Sequence, residues 1–107
     1  MSFNPEYTEE EPSIESIENL AGFAVLEFGA PWCEFCQAST SFVEASLTGR
    51  LDLEHIKVYD GKGKRLGRAF QVKLWPTLIA LHNGKEVARV IRPASTDELL
   101  KMLDAFK

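Results

Sequence analysis
From about residue 12 onward the apolar positions fall into blocks whose period changes from one block to the next. Ile14, Ile17 and Leu20 recur at helical spacing, with Pro12 or Ser13 to open a short helix and Gly22 to close it. Phe23 to Phe28 is continuously apolar except for Glu27, which suits a strand covered on both faces. Gly29-Ala30-Pro31 is a turn. A helix is predicted from Cys33 to about Leu47, with Ala38, Phe42 and Ala45 on one stripe and Thr48-Gly49 at its end. His55 to Tyr59 alternates, with Ile56 and Val58 on one side, and reads as a second strand.

Asp60-Gly61-Lys62-Gly63 has turn chemistry, and a short helix is predicted over Arg65 to Phe70. Leu78 to Leu81 is another apolar strand. Asn83-Gly84 separates it from a strand over Lys85 to Ile91. That dipeptide favours a type I′ hairpin, whose central residues both need positive φ, so these two strands are expected to be antiparallel. In the last helix Ser95 and Glu98 have capping-box spacing, and Leu99, Leu103 and Phe106 follow at i, i+4 and i+7. Strand, helix, strand, hairpin, helix is the order of an α/β domain with a central mixed sheet and helices on both faces. A crossover helix links parallel strands, and a tight turn links antiparallel ones.

At 107 residues and 45% hydrophobic, the chain can bury one ordinary core, so a single domain over 1–107 is expected. Residues 1–11 are polar enough to form an irregular N-terminal arm. No run approaches the roughly 18 apolar residues of a membrane span, and the first twenty residues are acidic, so neither a membrane anchor nor a signal peptide is expected. Residues 1–54 carry eleven acids and one base, and residues 55–107 five acids and eleven bases, which makes the chain electrostatically two-sided. The basic cluster Lys62, Lys64, Arg65, Arg68 and Lys73 could attract nucleic acid, but it lacks interleaved aromatics and reads better as a solvated face. A monomer with no nucleic-acid partner is expected.

The chemistry sits in Gly29-Ala30-Pro31-Trp32-Cys33-Glu34-Phe35-Cys36, a Cys-x-x-Cys pair after a buried strand and in the first turn of a helix. Two cysteines so close cannot staple distant segments, and a reducing cytoplasm fits them better than an oxidising compartment. Unpaired amides and summed peptide dipoles at a helix start favour a thiolate over a thiol. Cys33, the outer of the two, is expected to attack, and Cys36, one turn inward, to resolve the mixed disulfide. Zinc wants four ligands, and His55 and His82 lie in separate strand segments without finger spacing, so no metal site is expected.

Val25-Leu26-Glu27-Phe28 before Trp32-Cys33 and Cys36, Trp75-Pro76-Thr77 before a strand, and Asn83-Gly84 in the hairpin together resemble the thioredoxin family, from about residue 12 to the end. The resemblance implies the thioredoxin fold, a cis peptide bond before Pro76, and substrate docking on the backbone of Trp75 beside the cysteines. It implies that Glu27 is the buried acid beneath Cys36, costly to ionise and suited to exchanging a proton with it. It makes Lys57 the partner of that acid, and Trp32 a shield of the site that contacts substrate. The implied activity is thiol–disulfide oxidoreduction of client proteins, with no bound cofactor beyond the Cys33–Cys36 pair and an upstream reductant such as a thioredoxin reductase or glutathione. Departures from the usual family pattern are Glu34-Phe35 between the cysteines, Ser41 in place of a helix-kinking proline, Gly29 in place of an aromatic, and Trp75 before Pro76. A bulky Trp75 could narrow the groove, which leaves a non-catalytic adaptor or holdase as the second reading.

Overall fold
The computed structural model describes residues 3–8 and 10–106; Met1, Ser2 and Glu9 of the predicted arm lie outside the described residues. The elements run α1 Ile14–Glu18, β1 Phe23–Gly29, α2 Glu34–Leu47, β2 Leu53–Tyr59, α3 Arg65–Ala69, β3 Thr77–His82, β4 Lys85–Ile91 and α4 Thr96–Leu103, with a final 3-10 turn Asp104–Phe106. The four strands form one mixed sheet in the order β2-β1-β3-β4. β1 is parallel to β2, with Glu27 opposite Lys57, and antiparallel to β3. β3 and β4 form the hairpin, with Asn83 and Gly84 at φ 51° and 79°.

β1 is paired on both edges and buried at six of its seven positions, which is why its sequence is an apolar run. On one face Val25, Leu53, Leu78 and Ala80 pack with Val43 and Leu47 of α2 and Leu99, Met102 and Leu103 of α4. On the other, Ala24, Leu26, Phe28, Val58, Ile79 and Leu81 pack with Ile17 of α1 and Leu66 of α3.

The stripe expected on α2 is displaced by one position. Ala38 and Ala45 are exposed and Phe42 is half-buried, whereas Cys36, Ser39, Val43, Ser46 and Leu47 face the sheet. Cys33 caps the helix with its own sulfur, so Cys36 turns inward and residues at helical spacing from it follow. Two serines on this stripe are tolerated because their hydroxyls bond back along the helix, Ser39 to the Cys36 carbonyl at 3.1 Å and Ser46 to that of Val43 at 2.9 Å.

The described residues of the arm form no helix or strand, and they are packed rather than loose. The arm follows the outer edge of β2: the Thr8 amide donates to the Lys57 carbonyl at 2.8 Å, and the Asn4 amide to Nδ1 of His55 at 2.8 Å. An otherwise open strand edge is thereby covered. Further on, the Glu11 carboxylate accepts from the amides of Arg65 (3.1 Å) and Leu66 (2.8 Å) at the start of α3. The residue at the helix's own cap position, Lys64, supplies no side-chain bond there. Glu11→Ala is expected to cost about 0.5–2 kcal/mol, the worth of an N-cap. Urea denaturation checks this, and an unchanged midpoint would show the distant cap to be silent.

Candidate active site
The end of β1, the turn Ala30–Trp32 and the first turn of α2 bring the two cysteines together. Cys33 is the N-cap residue of α2 with extended backbone (φ −79°, ψ 120°), and its Sγ accepts a hydrogen bond from the Cys36 amide at 3.2 Å. The helix start therefore presents an N–H directly to this sulfur, the arrangement that favours a thiolate. Both side chains are free thiols. Cys33 is the outer one, but only just: it is 8% exposed against 3% for Cys36, and the half-buried Trp75 packs against the cluster that the two form with Ala30. Burial, first, and the neighbouring Cys33 sulfur push the Cys36 thiol up to about 12, while hydrogen bonds from the Ala30 backbone and the Tyr7 hydroxyl act the other way.

Gly29 makes room for the inner sulfur. A Cβ there would stand 2.6 Å from Cys36 Sγ and 3.0 Å from the Tyr7 hydroxyl, so any side chain at this position would displace one or the other. The Tyr7 ring is held by two residues of β2, meeting Tyr59 edge-on at 6.0 Å and lying 4.5 Å below the Lys57 ammonium.

Glu27 is 1% exposed, on the same sheet face as the cysteine-bearing helix. Its bond comes from a different partner than expected: Nε2 of His55, not Lys57, lies 2.8 Å from Glu27 Oε1. The Asn4 amide can only donate, so Nδ1 of His55 accepts, Nε2 carries the hydrogen, and the carboxylate receives it. The Lys57 ammonium is drawn instead to the arm, donating to the Pro5 carbonyl at 3.2 Å and facing the Tyr7 ring. Lys57, level with Glu27 in the register, and His55, two residues earlier, share one face of β2, and the arm decides which of them serves the acid.

At the rim, Trp32 is largely exposed and donates from Nε1 to the Tyr59 hydroxyl at 3.1 Å. Trp75 meets it edge-on with ring centroids 5.4 Å apart and donates from Nε1 to Asp60 Oδ2 at 2.9 Å. The Trp75–Pro76 peptide bond is cis. Arg92, in left-handed backbone (φ 49°), donates from Nε to the Trp75 carbonyl at 2.8 Å and lies 3.9 Å from the centre of the exposed Phe35 ring. Among the described residues no group of three or more histidine, cysteine or acidic side chains is placed to hold a metal ion.

A vicinal thiol pair at a helix start, beside a cis-proline loop on a mixed four-stranded sheet flanked by helices, defines a dithiol–disulfide oxidoreductase. The thioredoxin family profile matches residues 6–105. A thioredoxin from Chlamydia trachomatis serovar D is 30% identical over 95 residues, covering 84% of this chain and 93% of that protein. The reduced form of thioredoxin 2 from Pseudomonas aeruginosa PAO1 superposes with a TM-score of 0.85 at 41% identity, covering 97% of this chain and 96% of that one. The thioredoxin NaTrxh of Nicotiana alata follows at 0.73 and 29%, covering 88% and 81%. The chain belongs to the thioredoxin family.

Tyr7, His55, Asn4, Asp60 and Arg92 are the neighbours of the site that sequence reasoning missed. Strand alternation through Leu53, His55 and Lys57 could have placed His55 on the face of Glu27; no local pattern marks Tyr7 or Asn4. The raised Cys36 thiol has a measurable consequence. In the unfolded chain it ionises from its ordinary value of 9.0, whereas the folded protein holds the proton to about 12, so folding retains more protons between these values. That stability is present below about pH 9 and is lost as pH rises towards 12. Denaturation of the reduced protein across this range should show the decline, and Cys36→Ala should flatten it.

Proposed function
We propose that the chain reduces disulfides of client proteins through Cys33 and Cys36. The Cys33 thiolate attacks a client disulfide, forming a Cys33–client bond and releasing the first client sulfur as a thiolate. Cys36 then gives its proton to Glu27 and attacks Cys33 Sγ, closing the Cys33–Cys36 bond and expelling the second client sulfur. Two electrons pass from the dithiol to the client, and a thiol reductant such as a thioredoxin reductase or glutathione restores the pair. The redox group is the cysteine pair itself, with no bound cofactor.

The observation that carries this reading is the Cys33 sulfur as N-cap of α2, with Cys36 one turn behind it and turned towards the sheet. Glu27, held by His55, serves as the base, and Lys57 acts by fixing the arm over Cys36. Client segments dock against Trp32, Trp75 and the backbone at Pro76. Here Arg92 already holds the Trp75 carbonyl, so a client strand must displace the guanidinium or leave that acceptor to it. Such a gate favours clients that bring a carboxylate to receive Arg92.

Insulin reduction by a chemical dithiol separates this reading from an adaptor or holdase. The parent should accelerate precipitation of the insulin chains, Cys33→Ser should abolish the acceleration, and Cys36→Ser should arrest as a Cys33–client mixed disulfide on a non-reducing gel. A parent no faster than the chemical reductant alone would overturn the catalytic reading in favour of the binding module.

A further inference from the structure
The arm brings one functional group to the inner cysteine that none of the elements carrying the cysteines supplies. Tyr7 places its hydroxyl beside Cys36 Sγ: both atoms border the space that the missing side chain of Gly29 leaves open, 3.0 and 2.6 Å from where a Cβ would stand. We infer that Tyr7 is a catalytic residue of the resolving step, its phenol donating a hydrogen bond to the Cys36 sulfur as that sulfur becomes an anion and attacks the mixed disulfide. The inference rests on the oxidoreductase reading above and assigns a residue to its second half.

Three features make the contact a built one. The strand edge holds the arm at separate points on either side of Tyr7: Asn4 on His55, the Pro5 carbonyl on the Lys57 ammonium, and the Thr8 amide on the Lys57 carbonyl. The ring is fixed independently, between the Lys57 ammonium at 4.5 Å and the edge of Tyr59 at 6.0 Å. An open cavity of about 260 Å³ lies between arm and helix, lined by Tyr7, Cys36, Gln37, Thr40 and Lys57, so the inner sulfur and the phenol share a common space.

The ionisable groups around this pair decide the direction of the hydrogen bond. Glu27 of β1, Cys33 at the start of α2, and His55, Lys57 and Tyr59 of β2 face or adjoin it. Burial, foremost, and the negative charges that Cys36, Glu27 and Cys33 can carry push the phenol well above its ordinary value, so it remains a donor wherever Cys36 reacts. In the step itself the Cys36 proton passes to Glu27 and the Cys36 electron pair forms the new S–S bond. The electrons of the broken Cys33–client bond leave on the client sulfur, which is protonated by solvent. Tyr7 keeps its own proton; what it contributes is a charge-assisted hydrogen bond to an anion forming in a poorly solvated place.

Tyr7→Phe removes the oxygen and keeps the ring between Lys57 and Tyr59. The reduced protein is mixed with Ellman's reagent, whose thionitrobenzoate is released once when Cys33 attacks and again when Cys36 resolves the mixed disulfide. In Tyr7→Phe the second release should slow about tenfold, the rate equivalent of one hydrogen bond to a charged group, while the first stays close to the parent rate. The Cβ carbon shift of Cys36, followed against pH in a Cys33→Ser background, should titrate higher once the phenol is gone. A second release as fast as the parent's throughout the neutral range, or slowing of both releases alike, would overturn the assignment, as would an unmoved Cys36 titration. A parent that releases only one thionitrobenzoate would overturn the oxidoreductase reading itself, and the Cys36 titration would still decide whether Tyr7 bonds that sulfur.

Discussion
The site depends on how closely the inner sulfur approaches the backbone of β1. Cys36 can turn towards the sheet only because residue 29 has no side chain; a single methyl group there would stand 2.6 Å from Sγ. That approach fixes the rotation of α2, and with it the stripe from Cys36 through Ser39 and Val43 to Leu47 that joins the helix to the sheet. It leaves the opposite face of α2, with Phe35, Ala38 and Phe42, to the surface and the partly buried rim near Arg92. It also leaves a space beside the sulfur that the fold has to fill, and the Tyr7 hydroxyl occupies it.

A second constraint comes from placing polar groups on an otherwise apolar sheet face. A carboxyl as buried as Glu27 destabilises the fold unless a donor reaches it, and an imidazole as buried as His55 needs both nitrogens engaged. The chain Asn4 amide, His55 Nδ1, His55 Nε2, Glu27 Oε1 meets both demands in one line, with each donor opposite an acceptor. Lys57, equally buried, is balanced by the Pro5 carbonyl and the Tyr7 ring. The arm is therefore structural and electrostatic at once: it seals the edge of β2, completes the partners of two buried ionisable side chains and delivers the phenol.

Much of the architecture is legible in local pattern, because pattern reports how many faces of an element are covered. The apolar run from Phe23 reads as a doubly covered strand and is one, and Asn83-Gly84 makes the hairpin turn that its positive φ values require. The Cys-x-x-Cys pair is legible for the same local reason, since a turn followed by a helix start carries its own unpaired amides. Ala38, Phe42 and Ala45 fit a helical stripe as well as the true one does; with two serines on the buried face, hydrophobicity could not choose between them. The serines are admissible there because each bonds its own helix, which composition does not reveal.

By itself, then, the sequence determined the element order, the mixed sheet with helices on both faces, the family, and the two cysteines that carry the chemistry. All of these follow from neighbours in the chain or from spacings within one element. The tertiary structure alone decided that His55 rather than Lys57 holds Glu27, that Glu11 caps α3, that Arg92 holds the carbonyl of Trp75, and that Tyr7 stands over Cys36. Each of these joins residues from separate elements, and the arm has no periodicity to show where it lies. What places it is a set of hydrogen bonds and ring contacts to β2, formed only once that strand has taken its place at the edge of the sheet.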